Sequence, residues 1–388
     1  MGKIFPLSSI DHIFTGVGSY PIEFIFVYEK RIDEKRLKES LLKTVEFFPM
    51  ISTMLVSLDE NSYGFELSPD GLLFNLVDSP LNFEENDKKY EYIDPVDTQE
   101  GNPLSRIRLT HTPDGSVLGV SLSHSLADGF SYFHFLSSWA RIFHQKQITP
   151  AVHQRELLIS QDSGPLITRE TCRELTGLFL EDKRMPIPKK ELVWETRIFT
   201  DPSLKVLLSG MQQDSELRLS HNDIVTAMLA KEYLVDWSLT FREDKCFINC
   251  PVDFRRLLEG FPRTYFGNAV AMASFELSLK ELKEINLADL AGKIRKSIGK
   301  VNGSYIRQSI SALTALREQQ GRKIFEQVHV MHPRGGLLVT NLSRLPVQEI
   351  EFDAGPPVQY DILTQTVRGA VVLPGRGGLE ARICCPVK

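Results

Sequence analysis

The residues best placed to do chemistry lie in Ser121-Leu122-Ser123-His124-Ser125-Leu126-Ala127-Asp128-Gly129-Phe130-Ser131, where a histidine is followed at fixed spacing by an Asp-Gly pair. An imidazole titrates near neutral pH, so His124 at the end of a strand is a candidate general base. The same residues have a plainer reading. Aspartate is a favoured helix N-cap, and a histidine beside a strand is commonly a hydrogen-bonded structural group. The H-x-x-x-D-G pattern alone leaves both open.

Other chemistries find less support. There is no G-x-S-x-G elbow, and Ser123 and Ser125 are too near His124 in sequence to face it, so no activated nucleophile is evident. The remaining histidines form no H-x-x-x-H or H-E-x-x-H set, and no metal site is expected. Gly375-Arg376-Gly377-Gly378 resembles a phosphate loop but falls between two short strands, which favours a hairpin turn. Lys293, Lys296 and Lys300, with Arg295 and Arg307, form a basic cluster that reads either as a solvated helix face or as a contact for the phosphates of a nucleotide-like donor. In the second half, Asp253-Phe254-Arg255-Arg256 follows an apolar strand and precedes Tyr265-Phe266-Gly267-Asn268. A buried Asp128 would need a cation, and a bidentate Arg255 would supply it and fix the His124 loop; the alternative is that both arginines are exposed.

These side chains need elements to hold them. Thr112-Pro113-Asp114-Gly115 is a turn, residues 117–122 form a strand, and Phe130, Phe133, Leu136, Ala140 and Phe143 recur at helical spacing after Gly129. Upstream, 24–28 is a buried strand, and Asp33 caps a helix that Pro49 stops. Residues 54–58, 63–67 and 72–77 suggest a small antiparallel set, and the charged stretch 84–92 a surface connection. From 146 to 191 the pattern weakens, leaving one helix near 169–180. Strands are then expected at 194–199, 247–252, 272–277, 337–342, 371–373 and 379–384. Helices are expected after Asp201-Pro202, after Ser220, at 287–300 and at 305–319. The resulting class is α/β, with 1–150 as one domain, 151–192 as a crossover and 193–388 as a second domain of similar class.

Composition is ordinary for a soluble protein, with 42% hydrophobic and 24% charged residues. No apolar run is long enough to span a bilayer, and residues 1–6 lack a signal-peptide layout, so a cytoplasmic protein is expected. A net charge of −5 disfavours broad nucleic-acid binding. The five cysteines, among them Cys246, Cys250 and the adjacent Cys384-Cys385, lack zinc or C-x-x-C spacing and read as reduced and structural.

The chain resembles the coenzyme-A-dependent acyltransferases called BAHD, relatives of chloramphenicol acetyltransferase and of peptide-synthetase condensation domains. The resemblance is carried by Leu7-Ser8-Ser9-Ile10-Asp11, by Ser123 to Gly129 with Phe135-Leu136-Ser137-Ser138-Trp139-Ala140, by Asp253-Phe254-Arg255 with Tyr265-Phe266-Gly267-Asn268, and by Val339-Thr340-Asn341-Leu342-Ser343-Arg344-Leu345-Pro346. It implies two chloramphenicol-acetyltransferase-like domains, each a mixed sheet with helices, and an active-site channel between them. By the same resemblance His124 is the base, Asp128 and Gly129 orient its loop, Arg255 partners Asp128, and Thr340 and Asn341 contact the oxyanion. Acyl-CoA would be a co-substrate rather than a bound cofactor, the acceptor a small-molecule hydroxyl or amine, and the enzyme a monomer. A carrier-protein thioester is the alternative donor, and a non-catalytic ligand-binding module the alternative function. Two features depart from the family pattern: the Asp-Phe-Gly-Trp-Gly segment appears as Glu351-Phe352-Asp353-Ala354-Gly355, and Leu342 replaces a common tryptophan. Condensation domains show a second histidine where this chain has Ser123, which favours a free-standing enzyme.

Overall fold

Nine consecutive buried residues, Gly115–Ser123, form the strand that leads to His124. Burial on both faces explains why Val117 to Leu122 do not alternate with polar residues. This strand is central in a five-stranded sheet whose order is Gln359–Ile362, Pro21–Tyr28, Gly115–Ser123, Ser105–Thr112, Leu72–Asp78. Helices Glu34–Phe47 and Gly129–Phe143 pack together, and Trp139 Nε1 donates to Ser40 Oγ at 2.9 Å. Asp33 caps the first helix by accepting from Arg36 N, and the helix ends ahead of Pro49. The computed structural model describes residues 2–16, 19–85, 88–160, 164–182, 192–213 and 217–386. Pro186 and Pro188, read as part of the crossover, lie outside them.

A second, six-stranded sheet has the order Val270–Ser278, Lys245–Asp253, Gly336–Asn341, Gly369–Gly375, Gly378–Pro386, Leu192–Thr200. It is also mixed, because Gly336–Asn341 runs parallel to both of its neighbours. Helices His221–Leu229 and Leu287–Gly299 pack against each other, and Leu287–Gly299 also contacts Lys245–Asp253 and Val270–Ser278. Helix Gly303–Gln320 meets the sheet through Tyr305, whose hydroxyl donates to Met272 O. The glycine-rich stretch at 374–378 is the turn of the hairpin Gly369–Gly375 to Gly378–Pro386. All five cysteines are free and buried.

Three placements differ from the sequence reading. Leu72–Asp78 does not complete an antiparallel set with Thr53–Ser57 and Tyr63–Leu67. It runs parallel to Ser105–Thr112 at the edge of the main sheet, while Ile4–Pro6 supplies the third strand of the small sheet. The turn at Ser68 to Gly71 is present, with Gly71 N donating to Ser68 O, but the strand after it pairs with Ser105–Thr112 instead of folding back on Tyr63–Leu67.

Gln359–Ile362, from the second half of the chain, pairs with Pro21–Tyr28. Phe266, Val347, Ile350, Phe352 and Ile362 likewise belong to the first sheet's core, so the halves interlock rather than separate at residue 193.

The stretch 151–192 is likewise more than a connection. Val152 bonds both Thr264 and Phe266 through the backbone, Leu158 and Cys172 sit in the second core, and Phe179–Leu180 pairs with Val328–His329. Its helix, Arg169–Thr176, stops at Gly177, whose φ of +70° suits a glycine.

Candidate active site

The main chain leaves the central strand at Ser123 and turns at once, with Leu126 N donating to Ser123 O. Asp128 then caps helix Gly129–Phe143 by accepting from Ser131 N at 2.9 Å. The same carboxylate meets Arg255 end-on, through both terminal nitrogens. Nη1 donates to Oδ2 at 2.8 Å, Nη2 donates to Oδ1 at 2.9 Å, and Ala269 N is a second donor to Oδ2. The capping and ion-pair readings of Asp128 therefore hold together. Burial opposes the charge on Asp128, but Arg255 and the two backbone donors outweigh it and hold the carboxyl below its usual range. Arg255 also donates to Tyr265 O, Gly267 O, Ser131 Oγ and Asp253 Oδ1, so its buried fork is fully used.

A second buried ion pair holds the loop from its other side. Arg155 Nη1 donates to Asp11 Oδ2 at 2.7 Å, and Nη2 donates to the Leu126 carbonyl at 2.8 Å. Both side chains are at most 1% exposed. Asp11 Oδ1 accepts from Asn268 Nδ2, which also donates to the His124 carbonyl at 2.8 Å. The loop is thus fastened at the carbonyls of His124 and Leu126 and at the Asp128 carboxylate. Gly267 is required by this packing, because a Cβ there would lie 2.4 Å from the pinned Arg155 Nη1.

His124 itself lies between aromatic rings. Phe14 stacks on the imidazole with centroids 3.8 Å apart and planes 9° apart, and Tyr20 meets it edge-on at 5.4 Å. Burial drives the His124 pKa down to about 4, although its own carbonyl, Asp128 and Asn268 all favour the protonated ring. Nδ1 is buried, and no atom among the described residues forms a well-aligned hydrogen bond with it. The Ser123 hydroxyl bonds those of Ser125 and Thr98, not the imidazole, in agreement with the absence of a serine nucleophile.

The other expected residues divide into two groups. Thr340 and Asn341 end strand Gly336–Asn341, and the next residue, Leu342, lies over Gly129: a Cβ on Gly129 would be 3.0 Å from Leu342 Cδ2. That strand end therefore reaches the start of the motif helix. Asn341 is exposed, and its Oδ1 accepts from Ser343 N and Oγ. Lys293, Lys296 and Lys300 are exposed at helix Leu287–Gly299 and the residue after it, and among the described residues no hydrogen bond or ion pair joins them to the His124 loop. Their neighbour Arg295 is occupied by the buried Asp223. The altered segment at 351–355 anchors the first core, with Phe352 packed on Trp139 and Phe143.

Sequence reasoning missed Arg155, the role of Asn268 and the Phe14 stack. The available signal was Asp11 itself, a carboxylate set among Ile10, Ile13 and Phe14 that needs a buried cation. Nothing local distinguishes Arg155 from the other 44 of the 45 basic residues.

Similarity to known proteins extends over the whole chain. A family model described as the Transferase family matches residues 2–388. Anthranilate N-benzoyltransferase protein 1 of Dianthus caryophyllus is 25% identical over 371 residues, covering 89% of this chain and 80% of that protein. Shikimate O-hydroxycinnamoyltransferase of Nicotiana tabacum is 25% identical over 346 residues, covering 84% and 78%. Among solved structures, TRI101 of F. graminearum complexed with ethyl coenzyme A superposes with a TM-score of 0.78 at 13% identity, covering 100% of this chain and 95% of that one. Vinorine synthase superposes at 0.71 with 18% identity, covering 99% and 90%. Among the described residues no helix is long and apolar enough to cross a membrane. With the family match running through both sheets and both ion pairs, the chain belongs to the transferase family of BAHD acyltransferases.

Proposed function

We propose that the protein moves an acyl group from a coenzyme A thioester to the hydroxyl or amine of a small molecule, with His124 as general base. The observation that carries this reading is a neutral, half-buried imidazole at a strand end whose loop is clamped by two buried Arg–Asp pairs. Coenzyme A is favoured over a carrier protein because TRI101, similar over its whole fold, is complexed with ethyl coenzyme A. The five buried thiols suit a reducing compartment, which fits a cytoplasmic enzyme, taken here as a monomer.

In this mechanism the acceptor's O–H or N–H proton passes to His124 Nε2 while the oxygen or nitrogen attacks the thioester carbonyl carbon. The C=O pair moves onto oxygen, and the Thr340 hydroxyl and the Asn341 amide nitrogen are the assigned donors to it. Collapse breaks the C–S bond, and the departing thiolate takes the proton from the imidazolium. The step uses the tautomer with its proton on Nδ1 and the lone pair on Nε2. Asp128, Gly129 and Arg255 position the loop and touch no substrate. The exposed Lys293, Lys296 and Lys300 are assigned to the phosphates of the donor.

Incubation with acyl-CoA and a panel of alcohols and amines is expected to release free thiol together with acylated product, read by thiol titration and intact mass. Saturable acyl-CoA binding without thioester consumption across that panel would favour the non-catalytic module instead.

The low basicity of His124 sets a pH dependence. A base with a pKa of about 4 in the folded enzyme stays neutral as pH falls through 6.5, and activity is lost only on approaching 4. The acid limb of kcat/KM is expected near pH 4, and a limb at 6.5 or above would contradict the buried geometry. The linked stability has the same direction. The unfolded chain binds this proton first, so this group's contribution is fully present above 6.5 and is lost as pH falls towards 4.

A further inference from the structure

The ring of Phe14 has a second role to account for. Besides lying flat on His124, it lines an apolar cavity of about 30 Å³ together with Ile13, Phe254, Met272, Ile310 and Leu313. Only two hydroxyls, those of Thr176 and Ser309, belong to the lining. Both are already committed, Thr176 Oγ1 to Cys172 O at 2.6 Å and Ser309 Oγ to Leu175 O at 2.7 Å. With both hydroxyl hydrogens committed and the rest of the described lining side chains apolar, the cavity favours a hydrocarbon guest.

Volume limits what fits. A space of about 30 Å³ takes roughly one or two water-sized groups and no extended chain. The Phe14 side chain stands between this space and the imidazole, so moving it would join the cavity to the reacting centre. Phe14 is the residue with non-helical φ/ψ (−99°, 16°) within the short turn Asp11–Thr15, a turn that Gly16 follows. The stack on His124 is a ring-on-ring contact with no hydrogen bond, so displacing it forfeits packing only.

We propose that Phe14 is a gate between His124 and the apolar cavity behind it, and that the cavity, enlarged when Phe14 swings off the imidazole, receives the hydrocarbon tail of the donor's acyl group. The inference rests on the acyl-CoA reading above. The acyl tail is the occupant chosen because the cavity lies behind the ring that covers His124, where the thioester carbonyl must sit, and an unsubstituted tail carries no polar group beyond that carbonyl. In the closed arrangement Phe14 also shields the base from water until donor arrives. A hydrophobic pocket discriminates by about 10–200-fold per methylene, so the gate would set chain-length preference.

The test measures binding by isothermal titration of acetyl-CoA, octanoyl-CoA and free CoA to the full-length protein, and needs no acceptor. Phe14→Ala is expected to tighten octanoyl-CoA relative to acetyl-CoA by about tenfold. Ile310→Phe, which fills the cavity from the helix side, is expected to weaken octanoyl-CoA relative to acetyl-CoA by a similar factor. Thermal unfolding confirms that each variant is folded, and either variant suffices if the other is not. An octanoyl-to-acetyl ratio equal to wild type in a folded variant overturns the proposal, including the case where the cavity serves the acceptor. Failure of the wild type to bind any of the three would instead overturn the acyl-CoA reading.

Discussion

Replacing His124 by alanine is expected to lower kcat/KM by about 10²–10⁴-fold, the range a positioned general base supplies, while leaving the fold in place. The loop does not depend on the imidazole. Its fastening points are the His124 and Leu126 carbonyls and the Asp128 carboxylate, and all three survive the truncation. What is lost is the proton acceptor and the partner of the Phe14 ring. Thiol release with acyl-CoA and an identified acceptor measures the effect, and thermal unfolding checks integrity. Wild-type turnover by a folded His124→Ala protein would remove the base from the mechanism.

The second large effect is expected at Asp128, where asparagine separates two roles that share one carboxylate. Asparagine caps helices about as well as aspartate, so the bond from Ser131 N can persist. The negative charge cannot, and Arg255 is left buried with only the half-exposed Asp253 opposite it. Breaking a buried pair from one side costs about 3–5 kcal/mol, which corresponds to a fall in Tm of about 5 °C for a chain of 388 residues. Arg255→Leu is expected to be similarly destabilising, and the double variant to lose less than the sum, because the second change removes the orphaned charge. A folded Asp128→Asn protein with wild-type Tm would reduce Asp128 to a helix cap. The contrast with His124 is the informative part: one residue is expected to move rate without stability, the other stability first and rate through the loop it holds.

Local order was largely legible in the residues. The strand ending at Ser123, the Asp33 and Asp128 caps, the stop at Pro49 and the hairpin turn at 374–378 each depend on neighbours a few positions away. The Asp128–Arg255 contact was reachable by a chemical argument, because a buried carboxylate next to a strand end needs a fork of donors and few arginines follow a buried strand. The same argument applied to Asp11 names the need but not the supplier. Arg155 lies 144 residues away in a stretch with weak periodicity, within the short turn Arg155–Leu158 that carries no strong pattern.

By itself, then, the sequence determined the class of the fold and the strand-loop-helix that presents His124. Tertiary structure alone decided that Leu72–Asp78 runs parallel in the main sheet, that Gln359–Ile362 crosses back to stitch the halves, that Arg155 and Asn268 hold the loop, and that Phe14 covers the base. The reason is physical. Caps, turns and periodicity are settled by bonds within a few residues, whereas sheet order, buried ion pairs and the covering of an imidazole depend on which distant surfaces exclude water from one another.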